Sequence, residues 1–185
     1  MARAPLERAA AAVRAGGLVA YPTEAVYGLG CHPRNTRALR RLLALKARPR
    51  HLGLILIAAT PRQLEPFIRW PDAATRDRVL ATWPGPVTWV LPARHGVSPW
   101  LRGRHRGLAV RVTDHPLAAA LCRRAGTALV STSANRHGRA PVRRAADLPR
   151  ALRGGIDCLL AGPTGGRARC SEIRDAASGR VLRAG

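Results

Sequence analysis

The residues of this chain that could do chemistry are cations and hydroxyls, and they sit where apolar runs end. Lys46 and Arg48 stand two apart in "LKARP", Thr23 and Glu24 close "LVAYPTE", and Ser131, Thr132, Ser133 and Asn135 follow one another in "LVSTSAN". Thr88 in "PVTWV", Arg111 in "AVRV" and Ser171 complete the candidate set. Cations and hydroxyls without an activated nucleophile suit phosphoryl or nucleotidyl transfer, where positioning and charge stabilisation supply most of the rate. Each residue also has a plainer reading. The Thr23 hydroxyl can cap the turn that follows it, and Lys46 can answer a helix dipole and snorkel to water.

Other catalysts are disfavoured by pattern. The stretch "GPTGGRARCS" at 162–171 lacks the lysine of a P-loop, no G-x-G-x-x-G opens a helix, and no G-x-S-x-G elbow is present. Ten acidic residues in the whole chain leave little support for a paired-carboxylate mechanism. Cysteines at 31, 122, 158 and 170 form no C-x-x-C pair and fit no zinc spacing, so they read as buried free thiols, and no metal site is expected.

The elements that must position these residues follow from periodicity. An amphipathic helix over 5–15 ends at Gly16-Gly17, and "LVAYPT" and "VYGLGC" read as extended segments around a turn near Glu24. Residues 36–47 form a second helix with Thr36 as N-cap and Pro49 beyond its end. On a wheel at about 100° per residue, Arg37, Arg40 and Arg41 share one side while Lys46 falls among Leu39, Leu42 and Leu43 on the other. The ammonium is thereby directed toward the protein interior.

Beyond it, "GLILIAA" at 53–59 is a strand, Thr60-Pro61 can start a helix, and a helix covers about 72–82. "VTWVLPA", "GLAVRVT" and "TALVSTSAN" are further strands, with Asp114 capping the helix "HPLAAALCRRAG". A short helix near 145–153, a strand "IDCLLAG" and a hairpin turning at Ser178-Gly179 finish the chain. Strands and helices alternate irregularly, which predicts an α+β (mixed α/β) fold: one domain over 1–185, a twisted mixed sheet flanked by helices.

Composition adds one strong signal. Of 32 basic residues one is lysine, which leaves 31 arginines, and the net charge is +22. Such a surface suits polyanions, although arginine in this excess also follows from a GC-rich genome. Seven aromatics (four Trp, two Tyr, one Phe) are too few for a base-stacking RNA platform. No apolar run approaches the roughly 20 residues of a membrane span, and the N-terminus does not resemble a signal peptide, so a soluble cytoplasmic protein is expected, with no membrane role.

In order, "GGLVAYPTEAVYGLGC", "LKARP", "GLILIA", "WPGPVTWVLPA", "LAVRVTDHPL", "LVSTSAN" and "SEIRDAASGRVLRAG" resemble the YrdC/TsaC family of threonylcarbamoyl-AMP synthases, in its short bacterial form. The resemblance implies a YrdC-like fold. It also implies an enzyme that condenses L-threonine, bicarbonate and ATP to threonylcarbamoyl-adenylate and pyrophosphate, with Mg2+ held mainly by the phosphates. Partner proteins would then transfer the threonylcarbamoyl group to tRNA. By position, the threonine would meet Thr23, Arg111, Ser131 and Ser171, and the nucleotide would meet Lys46, Arg48, Ser133, Asn135 and Arg183, with Lys46 and Arg48 at the reacting carbamate and phosphates.

Two departures stand out. Relatives often place a lysine where this chain has Leu52, which would remove a phosphate contact or move it to Arg50, and Arg136-His137-Gly138 follows "STSAN" in place of a Ser-Gly pair. The competing function class is a non-catalytic RNA-binding module for ribosome or tRNA maturation, with direct RNA contact. A bare basic surface would need neither "K-x-R" nor "STSAN".

Overall fold

The computed structural model describes residues 3–185. Its elements are α1 (Arg3–Arg14), β1 (Val19–Pro22), β2 (Tyr27–Gly30), α2 (Thr36–Leu45), β3 (Ile55–Ala58), α3 (Ala73–Leu80), β4 (Val87–Pro92), α4 (Pro99–Arg102), β5 (Gly107–Val112), α5 (Pro116–Ala125), β6 (Leu129–Ser133), α6 (Arg150–Arg153), β7 (Cys158–Leu159), β8 (Glu172–Asp175) and β9 (Val181–Arg183). The strands form one sheet in the order β7-β1-β2-β6-β3-β5-β4-β8-β9. Pairs β1/β7, β3/β5 and β4/β8 are parallel and the other named pairs antiparallel, the mixed sheet that irregular alternation predicts.

Side chains along a strand alternate between faces, and this period of two decides what each face does. On one face Leu29, Leu56, Val110 and Val130 pack with Leu39, Leu42 and Leu43 of α2. On the other, Val19, Tyr21, Ile57 and Leu129 meet α1 and α5 through Ala9, Ala10, Val13, Ala118 and Leu121. The two helices cover only part of this second face. At further steps of two come Thr23 just past β1, Ile55 in β3, and Ser131 and then Ser133 in β6, while the pairings Tyr21↔Gly28 and Ile57↔Arg111 bring Gly28 and Arg111 to the same side. The uncovered part of the face is where the polar residues gather.

Local signals differ from expectation at several ends. Asn35, not Thr36, caps α2, its side chain accepting from the Ala38 N–H at 2.9 Å. The helix stops at Leu45 with Lys46 as C-cap, and Ala47 then takes a left-handed φ of 49° ahead of Pro49. His115 rather than Asp114 caps α5, because Asp114 is turned toward Arg167 at 3.7 Å. Thr60 caps nothing, and Pro61–Gln63 makes only one 3-10 turn. The helix near 145–153 divides into a 3-10 turn at Ala145–Asp147 and α6, separated by Pro149. "IDCLLAG" contributes just the two residues of β7.

Two of the four cysteines depart from the buried-thiol reading: Cys31 and Cys122 are buried, Cys158 is half-buried and Cys170 is exposed. No helix among the described residues is long and apolar enough to cross a membrane.

Candidate active site

The open part of the second sheet face is the floor of a cleft of about 150 Å³. Thr23, Arg48, Arg111, Ser131, Ser133, Ser171 and Arg183 line it together, seven of the nine residues expected at the site. Arg167 and Arg169 join them from the loop before β8, so five guanidiniums face one carboxylate, that of Glu24. A concave site with this balance selects an anion of several charges.

At one end, β1 runs into a turn in which the Thr23 Oγ1–H donates to the Val26 carbonyl at 2.7 Å. The hydroxyl is therefore committed to the turn. Gly28, across the register, shows what Thr23 presents instead: a Cβ there would lie 3.3 Å from the Thr23 methyl carbon. Glu24, which the sequence places simply at a turn, is buried, and its Oε2 lies 2.9 Å from Arg111 NH1. The Thr113 hydroxyl donates to Oε1 at 2.6 Å. Burial alone would push the Glu24 carboxyl up, but Arg111 and the Thr113 hydroxyl outweigh it and hold it below its ordinary range. The Arg111 Nε–H is buried without a partner.

Across the cleft, the Thr88 hydroxyl donates to Ser171 Oγ at 2.9 Å, and an Arg183 N–H donates to the Ser171 carbonyl at 2.7 Å. Arg48 is anchored by donating from Nε and NH2 to the Gly53 carbonyl at 3.2 and 3.0 Å. Burial, and then the neighbouring Arg183, lower its pKa. Two like charges facing one space without a carboxylate between them favour an anion there.

The loop over 162–171 forms the near wall, which no periodicity or motif predicts. Gly165 N–H donates to the Thr23 carbonyl and Arg167 N–H to the Glu24 carbonyl, each at 3.0 Å. Arg143 holds the loop from outside, donating to the carbonyls of Arg167 and Ala168 at 3.1 and 2.6 Å. The only available hint was the Gly-rich, arginine-rich composition of "GPTGGRARCS".

Lys46 and Asn135 are placed differently from expectation: neither lines the cleft. The Lys46 side chain, 2% exposed, runs behind the wall and donates to the carbonyls of Ser133 and Asn135, the latter at 2.6 Å. Burial, helped by Arg48, lowers its pKa from 10.5 to about 8. The Asn135 side chain donates to the carbonyls of Arg136 and Arg139 at 2.9 and 2.6 Å, shaping the turn at Gly138. Leu52 is a surface residue 37% exposed, and Arg50, the proposed substitute, lies 4.2 Å over the Trp100 ring, outside the cleft lining.

Among the described residues no three His, Cys, Asp or Glu side chains converge on a metal-sized site. The one carboxylate in the cleft lining is paired with Arg111, so the residues present do not form a cage for a divalent cation.

A family model described as "Telomere recombination", the Sua5/YciO/YrdC domain, matches residues 11–185. The threonylcarbamoyl-AMP synthase of Nitrosococcus oceani is 55% identical over 175 residues, 95% of each chain. P. abyssi Sua5, solved in complex with L-threonine, superposes with a TM-score of 0.89 at 30% identity over 96% of this chain and 53% of that one, so this chain spans about half of its length. E. coli YciO superposes with a TM-score of 0.84, covering 99% of this chain and 89% of that one, and at 23% identity the likeness is one of fold.

Proposed function

The chain belongs to the Sua5/YciO/YrdC family, and from that premise we propose that it is a threonylcarbamoyl-AMP synthase acting as a nucleotidyltransferase. The observation that carries the reading is the charge balance of the cleft: five guanidiniums and the hydroxyls of Ser131, Ser133 and Ser171 around one already paired carboxylate. This arrangement suits a triphosphate beside an amino acid, and the relative solved with L-threonine supports the second ligand.

In this reading Arg111 receives the threonine carboxylate. Its NH1 is drawn toward Glu24, which leaves the rest of the fork to a ligand. The threonine amine attacks bicarbonate carbon and loses water to give a carbamate. A carbamate oxygen then attacks the α-phosphorus of ATP, and pyrophosphate leaves with the bonding electrons. Arg48 and Arg183 hold the phosphates and take up the charge that develops on them. Lys46 acts from behind: by fixing the carbonyls of Ser133 and Asn135 it sets the strand end that presents the serine hydroxyls. No cleft residue among those described would hold magnesium, so charge neutralisation by a divalent cation would depend on the nucleotide's own phosphates, with Arg48 and Arg183 beside them.

The same reading passes the adenylate to partner proteins that modify tRNA in the cytoplasm, with the arginine-rich exterior available for direct RNA contact. The test is pyrophosphate release from ATP by the purified protein, expected only when both L-threonine and bicarbonate are present. Equal release with L-serine, or without bicarbonate, would refute the assigned reaction. Tight tRNA binding without any ATP chemistry would favour the RNA-binding module.

A further inference from the structure

Strand β4 sends Val87, Trp89 and Leu91 into the first core face, and the period of two turns Thr88 toward the cleft side. Thr88 is fully buried and does not itself line the cleft. Valine has the same shape and suits a buried strand position, whereas a hydroxyl there is costly unless it is bonded. Among the described residues the Thr88 hydroxyl has one partner, Ser171 Oγ at 2.9 Å, and Ser171 does line the cleft. Register explains the meeting: the parallel β4/β8 pairing sets Thr88 beside Ile173, and Ser171 stands two residues earlier, at the entry to β8.

A hydroxyl carries one proton and two lone pairs, so the direction of this bond decides what Ser171 offers the cleft. If Ser171 gave its proton to Thr88, it would turn only lone pairs toward a space where guanidiniums gather an anion. With Thr88 donating, a Ser171 lone pair is occupied and its own O–H is left for that anion, polarised by the bond it accepts. The Ser171 carbonyl takes an Arg183 N–H at 2.7 Å, which sets the residue beside the phosphate-side arginines. We propose that Thr88 is a positioning residue for nucleotidyl transfer, fixing the Ser171 hydroxyl from behind as a donor to an anionic oxygen of the bound nucleotide. Thr88 touches no ligand and acts only through Ser171. The inference rests on the reading of the cleft as an adenylate-forming site.

The experiment measures kcat and KM for ATP and for L-threonine, by pyrophosphate release, in wild type, Thr88→Val, Thr88→Ser, Ser171→Ala and the Thr88→Val/Ser171→Ala double variant, with thermal melts alongside. Thr88→Val keeps the shape and removes the donor, and kcat/KM for ATP is expected to fall about tenfold, the scale of a charge-assisted hydrogen bond, with KM for L-threonine little changed. Thr88→Ser keeps the hydroxyl and is expected to restore the activity. In the Ser171→Ala background, Thr88→Val is expected to cost nothing further, because the two residues act as one unit. Wild-type kcat/KM in folded Thr88→Val, an equal fold-loss with and without the Ser171 hydroxyl, or a loss confined to KM for L-threonine overturns the proposal. If the melts show Thr88→Val unfolded, Thr88→Ser is set against Thr88→Ala, and equal kcat/KM for ATP in that pair overturns it instead. A wild type with no release dependent on threonine and bicarbonate refutes the reading beneath it, a result distinct from all of these.

Discussion

The Lys46 ammonium donates to the Asn135 carbonyl at 2.6 Å, so the chain's one lysine directs its charge at the peptide groups of the strand end carrying Ser131 and Ser133. A compact ammonium reaches two carbonyls on one strand end, and a planar guanidinium cannot replace it in so tight a space. Lys46→Arg should therefore fold less stably and lose most of its turnover. Lys46→Ala should lose about 1.5–3 kcal/mol of stability, the scale of a hydrogen bond to a charged group. Denaturant unfolding measured beside the pyrophosphate assay checks both, and wild-type stability with wild-type activity in either variant would show the lysine to be ornamental.

Because Lys46 is the only lysine, 15N-lysine labelling reports on it alone. Its pKa is expected at about 8 against an ordinary value of 10.5. The folded state then releases the proton before the unfolded state does. This group's contribution to stability is fully present above 10.5 and is lost as pH falls through about 8. A side-chain titration near 10.5 would contradict the buried placement.

Glu24→Gln leaves the buried Arg111 without its counter-charge. Breaking such a pair costs about 3–5 kcal/mol, and KM for L-threonine should rise more than KM for ATP, since Arg111 is misplaced while the phosphate side is untouched. In wild type the carboxyl is held below its ordinary range. Its contribution is thus present above the ordinary carboxylate pKa and lost as pH falls through the lower folded value. Thermal melts across acidic pH, compared between wild type and Glu24→Gln, should converge at the acid end. Melting curves that stay equally far apart at every pH would contradict the pairing.

Arg48→Ala and Arg183→Ala each remove one guanidinium from the shared phosphate side. Each should raise KM for ATP by roughly tenfold or more, in line with about 1.5–3 kcal/mol for a charge-assisted contact, and leave KM for threonine little changed. Initial rates over a grid of both substrates decide this. A rise confined to threonine would move the phosphates elsewhere.

The periodic parts of the chain were the legible ones. Short apolar runs in "LVAYPT", "GLAVRVT" and "TALVSTSAN" locate β1, β5 and β6, and the position of Lys46 on the apolar side of the helix over 36–47 implies the burial it has. What it buries against was not legible, because the Ser133 and Asn135 carbonyls arrive from a strand 87 and 89 residues away. Glu24 was missed as a partner for the same reason: only the Ile57↔Arg111 register, set by the parallel β3/β5 pairing, brings Arg111 onto the cleft face opposite it. The caps lie one residue from expectation at Thr36 and Asp114, where the adjacent polar residues Asn35 and His115 take the role. The wall over 162–171 carries no regular secondary structure, so no periodicity announced it.

The most direct test of the account is a crystal structure of the protein with ATP and L-threonine bound together. The account predicts the threonine carboxylate on Arg111, its side chain near Thr23 and Ser131, and the phosphates between Arg48 and Arg183. Ligands bound outside this cleft, for instance in the depression between Arg34, Phe67 and His95, would contradict it.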